Sequence, residues 1–325
     1  MKIDYQKVNK KDIEKLILDK TQPKERHSDM DREHKLFPAD WQKPESGGFA
    51  RCLVCPRHCL IADGRTGFCG VRLNRGGRIY SMAYGYPCAL QIDPIEKKPL
   101  RHFRPGTQAF SVGTYGCNLK CVFCQNCHLS REQFNPHAAY RYYSPEDLIE
   151  LIRRHGSECV AFTFNEPAVW AEYVRDCAII ARREKISTIL VSNGYFSDEC
   201  MQDIFPLFDA ANIDVKGFGD FYPTMCSGEL EPVKHSCEFF KKVCGGHLEL
   251  TNLVIPGRND SPEQIDGFLD WVRDGLGIDT PVHFTAYHPA YLYHESPRTP
   301  RSELDSIQAH AKSRGFPNVY LGNIC

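Results

Sequence analysis

Three observations predict an α/β fold with a parallel sheet for residues 109–325. Short apolar, β-branched runs alternate with amphipathic stretches that open on helix-start signals. Nearly every strand-like run ends on an unusual polar or glycine-rich sequence, which is where β/α barrels carry their chemistry. No internal repeat or low-complexity tract interrupts the alternation. Six or seven such units make a partial or complete β/α barrel. The seventh run is short, so a splayed, partial (β/α)6 barrel is expected, preceded by a cysteine-rich N-terminal extension.

Residues 1–48 interleave Lys and Glu. Ile13, Leu16 and Ile17 fall at helical spacing, so Asp12–Lys20 is expected to form a short amphipathic helix. Pro44-Glu45-Ser46-Gly47-Gly48 reads as a linker. Residues 49–108 hold many Gly, Arg and Pro around four cysteines and are expected to be irregular, held by something other than a hydrophobic core. The first strand is Ala109–Thr114. Ser144-Pro145-Glu146-Asp147 then combines an N-cap, an N1 proline and first-turn acids ahead of Leu148, Ile149, Leu151 and Ile152. Strand two is Cys159–Phe164, and Pro167 opens a helix through Trp170, Val174 and Ile179 to about Arg183. Strands follow at Thr188–Ser192, Ala211–Val215, Leu248–Ile255, Val282–Tyr287 and Val319–Leu321. Ser261-Pro262-Glu263 and Thr299-Pro300 start two further helices.

The chain has 325 residues, with 40 basic against 41 acidic side chains and a formal net charge of −1. That balance removes an electrostatic case for nucleic acid or for an anionic membrane surface. No apolar run approaches the ~20 residues of a membrane span. The charged start, Met1-Lys2-Ile3-Asp4-Tyr5-Gln6-Lys7, leads into no apolar stretch of a secretory signal. A cytoplasmic protein is expected. Sixteen cysteines in a reducing compartment then point to metal or redox chemistry rather than to disulfides.

Cys159 and Cys177 lie in apolar runs and read as small buried hydrophobes. Eight other cysteines form two clusters, Cys52-x2-Cys55-x3-Cys59-x9-Cys69 and Cys117-x3-Cys121-x2-Cys124-x2-Cys127. The second follows the first strand directly. Three thiolates at x3 and x2 spacing on a short loop can converge on one iron–sulfur centre. With three protein ligands a [4Fe–4S] cluster keeps one iron open to a substrate. Cys127 as a fourth ligand would close the site, as in structural zinc or plain electron transfer. The first cluster is a complete set of four thiolates for zinc or a second [4Fe–4S] centre, and its uneven spacing leans towards iron–sulfur. The other strand ends carry Asn165-Glu166-Pro167, Ser192-Asn193-Gly194, Asp214-Val215-Lys216-Gly217, Pro256-Gly257-Arg258-Asn259-Asp260 and His288-Pro289. Each alone is open to two readings, turn chemistry or function. Their convergence on one rim of a barrel is harder to explain as turns.

Cys117-x3-Cys121-x2-Cys124, with Phe123 just before the third cysteine, resembles the signature of radical S-adenosylmethionine (radical SAM) enzymes, whose fold is a partial TIM-like barrel. Thr163-Phe164-Asn165-Glu166-Pro167, Val191-Ser192-Asn193-Gly194-Tyr195, Asn212-Ile213-Asp214-Val215-Lys216 and Val254-Ile255-Pro256-Gly257 are similar to strand-end motifs of pyruvate formate-lyase activating enzymes. Upstream, Cys52-Leu53-Val54-Cys55-Pro56-Arg57-His58-Cys59, Gly67-Phe68-Cys69-Gly70-Val71-Arg72 and Asp93-Pro94-Ile95-Glu96-Lys97-Lys98-Pro99-Leu100 resemble the AmmeMemoRadiSam system subgroup. The resemblance covers residues 52 to about 323. It departs at Cys127, where an aromatic residue is expected, and at Cys325, beyond which relatives continue to further cysteines. Residues 1–48 match none of it.

The resemblance implies that Cys117, Cys121 and Cys124 hold a [4Fe–4S] cluster whose fourth iron chelates SAM. Reductive cleavage of SAM then gives a 5′-deoxyadenosyl radical that abstracts a hydrogen atom from a protein or peptide, as activating enzymes do. Around SAM it implies backbone acceptors near Asn165 and Glu166 for the ammonium and Lys216 for the carboxylate. Ser192, Asn193 and Asp214 would meet the ribose, His288 would lie near the same ligand, and Phe123 would shield the cluster. An electron donor such as flavodoxin or ferredoxin and a Memo-family partner follow from the same resemblance. The domain plan is a charged extension (1–48), a cysteine-rich segment with a second iron–sulfur or zinc site at Cys52, Cys55, Cys59 and Cys69 (49–108), and the barrel (109–325). Arg101, His102 and Arg104 are expected to frame the mouth of the barrel and meet a polypeptide. The contrasting expectation is a non-catalytic iron–sulfur or zinc protein with Cys127 as the fourth ligand.

Overall fold

Residues 35–131 and 141–324 are described in the computed structural model of the chain, so the helix expected over Asp12–Lys20 lies outside the described residues. Six short strands come first: β1 (Phe37–Pro38), β2 (Gln42–Pro44), β3 (Ala50–Cys52), β4 (Leu60–Ile61), β5 (Arg72–Arg75) and β6 (Arg78–Ser81). They pair antiparallel in two sheets, ordered β1-β6-β5 and β2-β3-β4. The stretch read as a linker is the turn of a hairpin, with Gln42 opposite Cys52 and Pro44 opposite Ala50. Gly47 and Gly48 make that turn at φ of 69° and 77°, where a Cβ would be strained. Nor does this region lack a core. Trp41, Val54, Ile61, Val71 and Ile79 are buried and belong to the main hydrophobic core. Strands of two to four residues are too short to show the alternation by which a half-buried strand is read.

The main sheet has eight strands side by side in chain order: β7 (Ala89–Pro94), β8 (Gln108–Gly113), β9 (Cys159–Phe162), β10 (Ser187–Ser192), β11 (Ala210–Asp214), β12 (His247–Val254), β13 (Val282–Ala286) and β14 (Val319–Gly322). β8 to β14 run parallel and fall where the sequence marks strands. β7 was not expected. It joins β8 antiparallel, Ala89 opposite Gly113, so the pairing crosses the boundary placed at residue 108. The sheet is open, with β7 and β14 as its edges.

Helices α1 (Cys127–Ser130), α2 (Pro145–Arg154), α3 (Ala171–Arg183), α4 (Asp198–Ile204), α5 (Glu231–Glu238), α6 (Pro262–Trp271) and α7 (Arg301–Ser313) lie in the connections. Ser144 caps α2 in a reciprocal box with Asp147, and Ser261 caps α6 by accepting from the Gln264 N–H. Pro167–Trp170 is a 3-10 turn, and α3 begins after it. Thr299 does not cap α7. Its hydroxyl donates to the Val254 carbonyl and accepts from the Tyr287 N–H, which ties the approach to the helix onto the ends of β12 and β13. The N-terminal sheets are anchored to α3 by a buried ion pair, in which Arg72 reaches the Glu172 carboxylate at 2.8–3.1 Å. Among the described residues no helix is long and apolar enough to cross a membrane.

Strand alternation sorts the two faces of the main sheet. One face sends Phe110, Val112, Val160, Phe162, Leu190 and Ile213 into the core shared with the helices. The other carries Ala109, Cys159, Ala161, Ile189 and Ala210, packed against Ile95 and Leu100. Small side chains there leave room for a passing chain, and residues 95–104 occupy it. Asn212 donates to the Pro99 carbonyl, the N–H groups of Arg101 and His102 donate to Glu249, and Arg104 donates to Ser187 and Glu158. Glu158 and Ser187 stand at the starts of β9 and β10. Arg101, His102 and Arg104 therefore lie at the starting end of the sheet, and the expectation that they frame the mouth is overturned. Burial of Ile95 and Leu100 draws the loop under the sheet instead.

Candidate functional site

Parallel strands put all their finishes along one edge, and there β8 runs out into Thr114-Tyr115-Gly116-Cys117. Asn165, just beyond β9, staples this loop: its Oδ1 accepts from the Thr114 N–H and its Nδ2 donates to the Gly116 carbonyl, both at 2.9 Å. Asn126, on the far side of the cysteines, donates to the Phe164 carbonyl at 2.8 Å. Phe164 takes φ of 72°, an uncommon left-handed conformation for a bulky residue.

The three thiols of the loop have distinct surroundings. Cys117 Sγ accepts from the Leu119 N–H at 3.4 Å and from Asn193 Nδ2 at 3.6 Å. Cys124 Sγ lies 3.1 Å from Ser130 Oγ. Burial pushes both thiols above the ordinary range. Cys121 goes the other way, to about 7, because a hydrogen bond with Cys226 is reinforced by the positive charges of Lys216 and Arg131. Cys226 was not anticipated. It is seated by backbone bonds from Lys120 to the Cys226 carbonyl and from Val122 to the Met225 carbonyl, at 2.9 and 3.0 Å. Cys127 opens α1 and is half-buried.

Glu166 is buried and accepts from the Ala168 N–H, the Ser192 hydroxyl and the Asn193 N–H at 2.8–3.0 Å. Burial outweighs these donors and pushes its carboxyl up to about 7. Asn193 Nδ2 also donates to Asn118 Oδ1 at 2.9 Å. Asn165, Glu166, Ser192 and Asn193 are thus brought together with the cysteine loop, their side chains engaged with one another and with it. Asp214 and Lys216 form a pair at 2.8 Å, the Lys216 side chain only 13% exposed. Burial works against the Lys216 ammonium, but Asp214, followed by Cys121 and Cys226, holds it well above its ordinary range. Phe123 is buried with its ring 5.8 Å from that of Phe221. His288 follows β13 on the same edge and is half-buried.

The donor set is all thiol, and buried thiols become thiolates when a cation compensates their charge. Among the described residues no three Cys, His, Asp or Glu side chains are gathered closely enough to hold a single metal ion. Cys121 is electrostatically coupled to both Cys117 and Cys124, so the three thiols of the loop share one neighbourhood, and an all-thiol donor set is the chemistry an iron–sulfur cluster takes. The other cysteine group is gathered at one place: Cys52, Cys55, Cys59 and Cys69 line one hollow together with Asn118, Ala168 and Val169. Burial pushes Cys52 up to about 11 and raises Cys55 and Cys69 as well.

Residues 111–272 match the Radical SAM superfamily. The chain is 42% identical over 275 residues to uncharacterized protein MJ0808 of Methanocaldococcus jannaschii, covering 84% of this chain and 81% of that one. It is 24% identical over 183 residues to pyruvate formate-lyase 1-activating enzyme of Escherichia coli strain K12, covering 53% of this chain and 71% of that one. Among solved structures, Streptococcus suis SuiB bound to S-adenosylmethionine shares the fold at a TM-score of 0.51 and 16% identity, over 66% of this chain and 50% of SuiB. SuiB bound to precursor peptide SuiA aligns at a TM-score of 0.50 and 15% identity, over 66% of this chain and 47% of that one.

Proposed function

Because this chain belongs to the radical SAM superfamily, we propose that it holds a [4Fe–4S] cluster on Cys117, Cys121 and Cys124 and cleaves S-adenosylmethionine reductively, to abstract hydrogen from a protein or peptide. The observation that carries this reading is the three-cysteine loop running out of β8, with Cys121 coupled to Cys117 and Cys124 and lying beside the Asp214–Lys216 pair. When bound, the cluster supplies an open iron and one electron, and SAM then yields a 5′-deoxyadenosyl radical. The chain's own residues bind and orient. Lys216, kept charged by Asp214, offers a cation to the SAM carboxylate. Asn165 and Glu166 fix the backbone of residues 114–117 and 192–193, so that carbonyl groups near them are held ready for the ammonium. Ser192, Asn193, Asp214 and His288 are the polar groups available to the rest of the ligand. Phe123, packed on Phe221, keeps water from one side of the cluster.

Similarity to pyruvate formate-lyase 1-activating enzyme and the peptide complex of SuiB support a polypeptide substrate. The Asp93 to Leu100 motif supports the AmmeMemoRadiSam subgroup and a Memo-family partner. A flavodoxin- or ferredoxin-like protein supplies the electron, in the reducing cytoplasm. In this reading residues 109–325 carry the catalysis, residues 49–108 add a second centre, iron–sulfur or zinc, on Cys52, Cys55, Cys59 and Cys69, and residues 1–48 are a charged extension. The hydrogen bond between Cys226 and Cys121 favours one second reading, a cluster closed by Cys226 as fourth thiolate that only transfers electrons. Adding SAM to anaerobically reconstituted protein separates the two. Ultraviolet–visible and paramagnetic resonance spectra that shift with SAM support the open iron. Spectra indifferent to SAM would overturn the proposed activity.

A further inference from the structure

We infer that Cys52, Cys55, Cys59 and Cys69 hold a redox-active four-iron cluster built against the wall of the three-cysteine loop, where it stores single electrons for that site. The inference deepens the proposed function and rests on the second metal centre named there.

All four thiols line a single hollow, Cys52 from the end of β3, Cys55 and Cys59 from the β3–β4 connection and Cys69 from beyond β4, and the remaining wall is largely apolar, with Val54, Ile61 and Phe68 among it. Such a wall keeps solvent from a cluster and tunes its potential. Arg72 supplies an independent sign. Its terminal nitrogens are engaged by Glu172, but its Nε is buried with no acceptor, and the side chain lines the hollow. A buried N–H without a partner is costly. A cluster sulfur in the hollow is the acceptor it lacks, and an N–H···S bond of this kind is one of the levers that set cluster potential.

The hollow also abuts the other cysteine group. Gly116 takes φ of 83° and presses on the Cys69 carbonyl so closely that a Cβ there would sit 2.5 Å from it. Arg57 Nε donates to the Asn118 carbonyl at 2.5 Å, and Asn118 itself lines the hollow. Asn193 then links the Asn118 side chain to the sulfur of Cys117. One backbone contact and one hydrogen-bonded side chain thus lie between the two thiol groups. One electron enters the proposed cluster from a low-potential flavin or iron–sulfur protein, and one leaves across Gly116–Asn118. No bond forms or breaks and no proton moves.

The test uses the full chain, reconstituted anaerobically with iron and sulfide. About eight irons and eight sulfides per chain are expected, falling to about four in Cys55→Ser and in Cys121→Ala. Dithionite-reduced wild type should show a paramagnetic resonance spectrum broader than the sum of the two variants' spectra, because neighbouring reduced clusters interact. About four irons with one zinc, or about four irons alone, in the wild type would overturn the assignment without recourse to a variant that folds poorly. A wild-type spectrum equal to the sum of its parts would overturn the electronic link. About eight irons with no spectral response to SAM would count against the proposed activity and leave this site standing. About four irons with an intact SAM response would count against this site alone.

Discussion

At the starting end of the main sheet, Glu249 is fully buried yet accepts from the N–H groups of Arg101 and His102 and pairs with His247 and His283, all at 2.6–2.9 Å. At the finishing end, Glu166 is just as deeply placed and Cys117 and Cys124 are half-buried, but burial dominates and pushes all three towards their neutral forms. The two ends share one sheet, so the contrast lies in what surrounds the titratable groups. Burial works against the Glu249 charge too, but its four donors hold the carboxyl well below the ordinary range. That end is complete as folded. In the proposed function the finishing end is completed by a cation on its thiols, which is the division between stability and chemistry expected of β/α architectures.

The largest expected effect tests the finishing end. Cys121→Ala should lose its SAM-responsive spectrum entirely, while Cys127→Ala keeps it largely intact. Equal loss in both would remove the three-ligand assignment. Next comes the starting end: Glu249→Ala leaves several buried donors without an acceptor and should cost about 3–5 kcal/mol in denaturant unfolding. Iron bound per folded molecule should not change. A cost near zero would show that the bonds to Glu249 do not stabilise this end.

A smaller effect follows from Glu166, whose carboxyl is raised from 4.5 to about 7 in the folded chain. The folded state holds its proton more tightly than the unfolded state, so the stability Glu166 contributes is fully present below about pH 4.5 and is lost as pH rises through 7. Cluster-free protein should lose up to ~1.4 kcal/mol per pH unit across that window on this account. Glu166→Gln should flatten the slope, and an unchanged slope would remove the group from the explanation. The smallest effect is expected from Arg101→Ala with Arg104→Ala, which should leave both SAM cleavage and substrate modification near wild type. A selective loss of substrate modification would return these residues to the mouth.

The parallel strands were legible because each is a short apolar run, and α2 and α6 because Ser-Pro-Glu starts carry their own capping chemistry. Two helices gave weaker signals: α4 spans seven residues and runs into Phe205-Pro206, and α5 has no side-chain cap. β7 escaped because an edge strand with Leu90 and Ile92 exposed shows no buried alternation. In the site, the spacing of Cys117, Cys121 and Cys124 is local and visible. The approach of Cys226 is tertiary and leaves no trace in spacing. The Asp93 to Leu100 block is highly charged in sequence, yet Lys98 is buried against Asp93 at 2.7 Å because Ile95 and Leu100 carry it under the sheet.

The central claim, that three thiols at the strand finishes hold a cluster that cleaves SAM, is tested most directly by looking for 5′-deoxyadenosine. Anaerobically reconstituted protein is mixed with dithionite and SAM, and the products are separated. The nucleoside should form with the wild type and with Cys127→Ala, and be absent with Cys121→Ala. Its absence from wild-type protein whose iron and sulfide content shows an intact cluster would contradict the account.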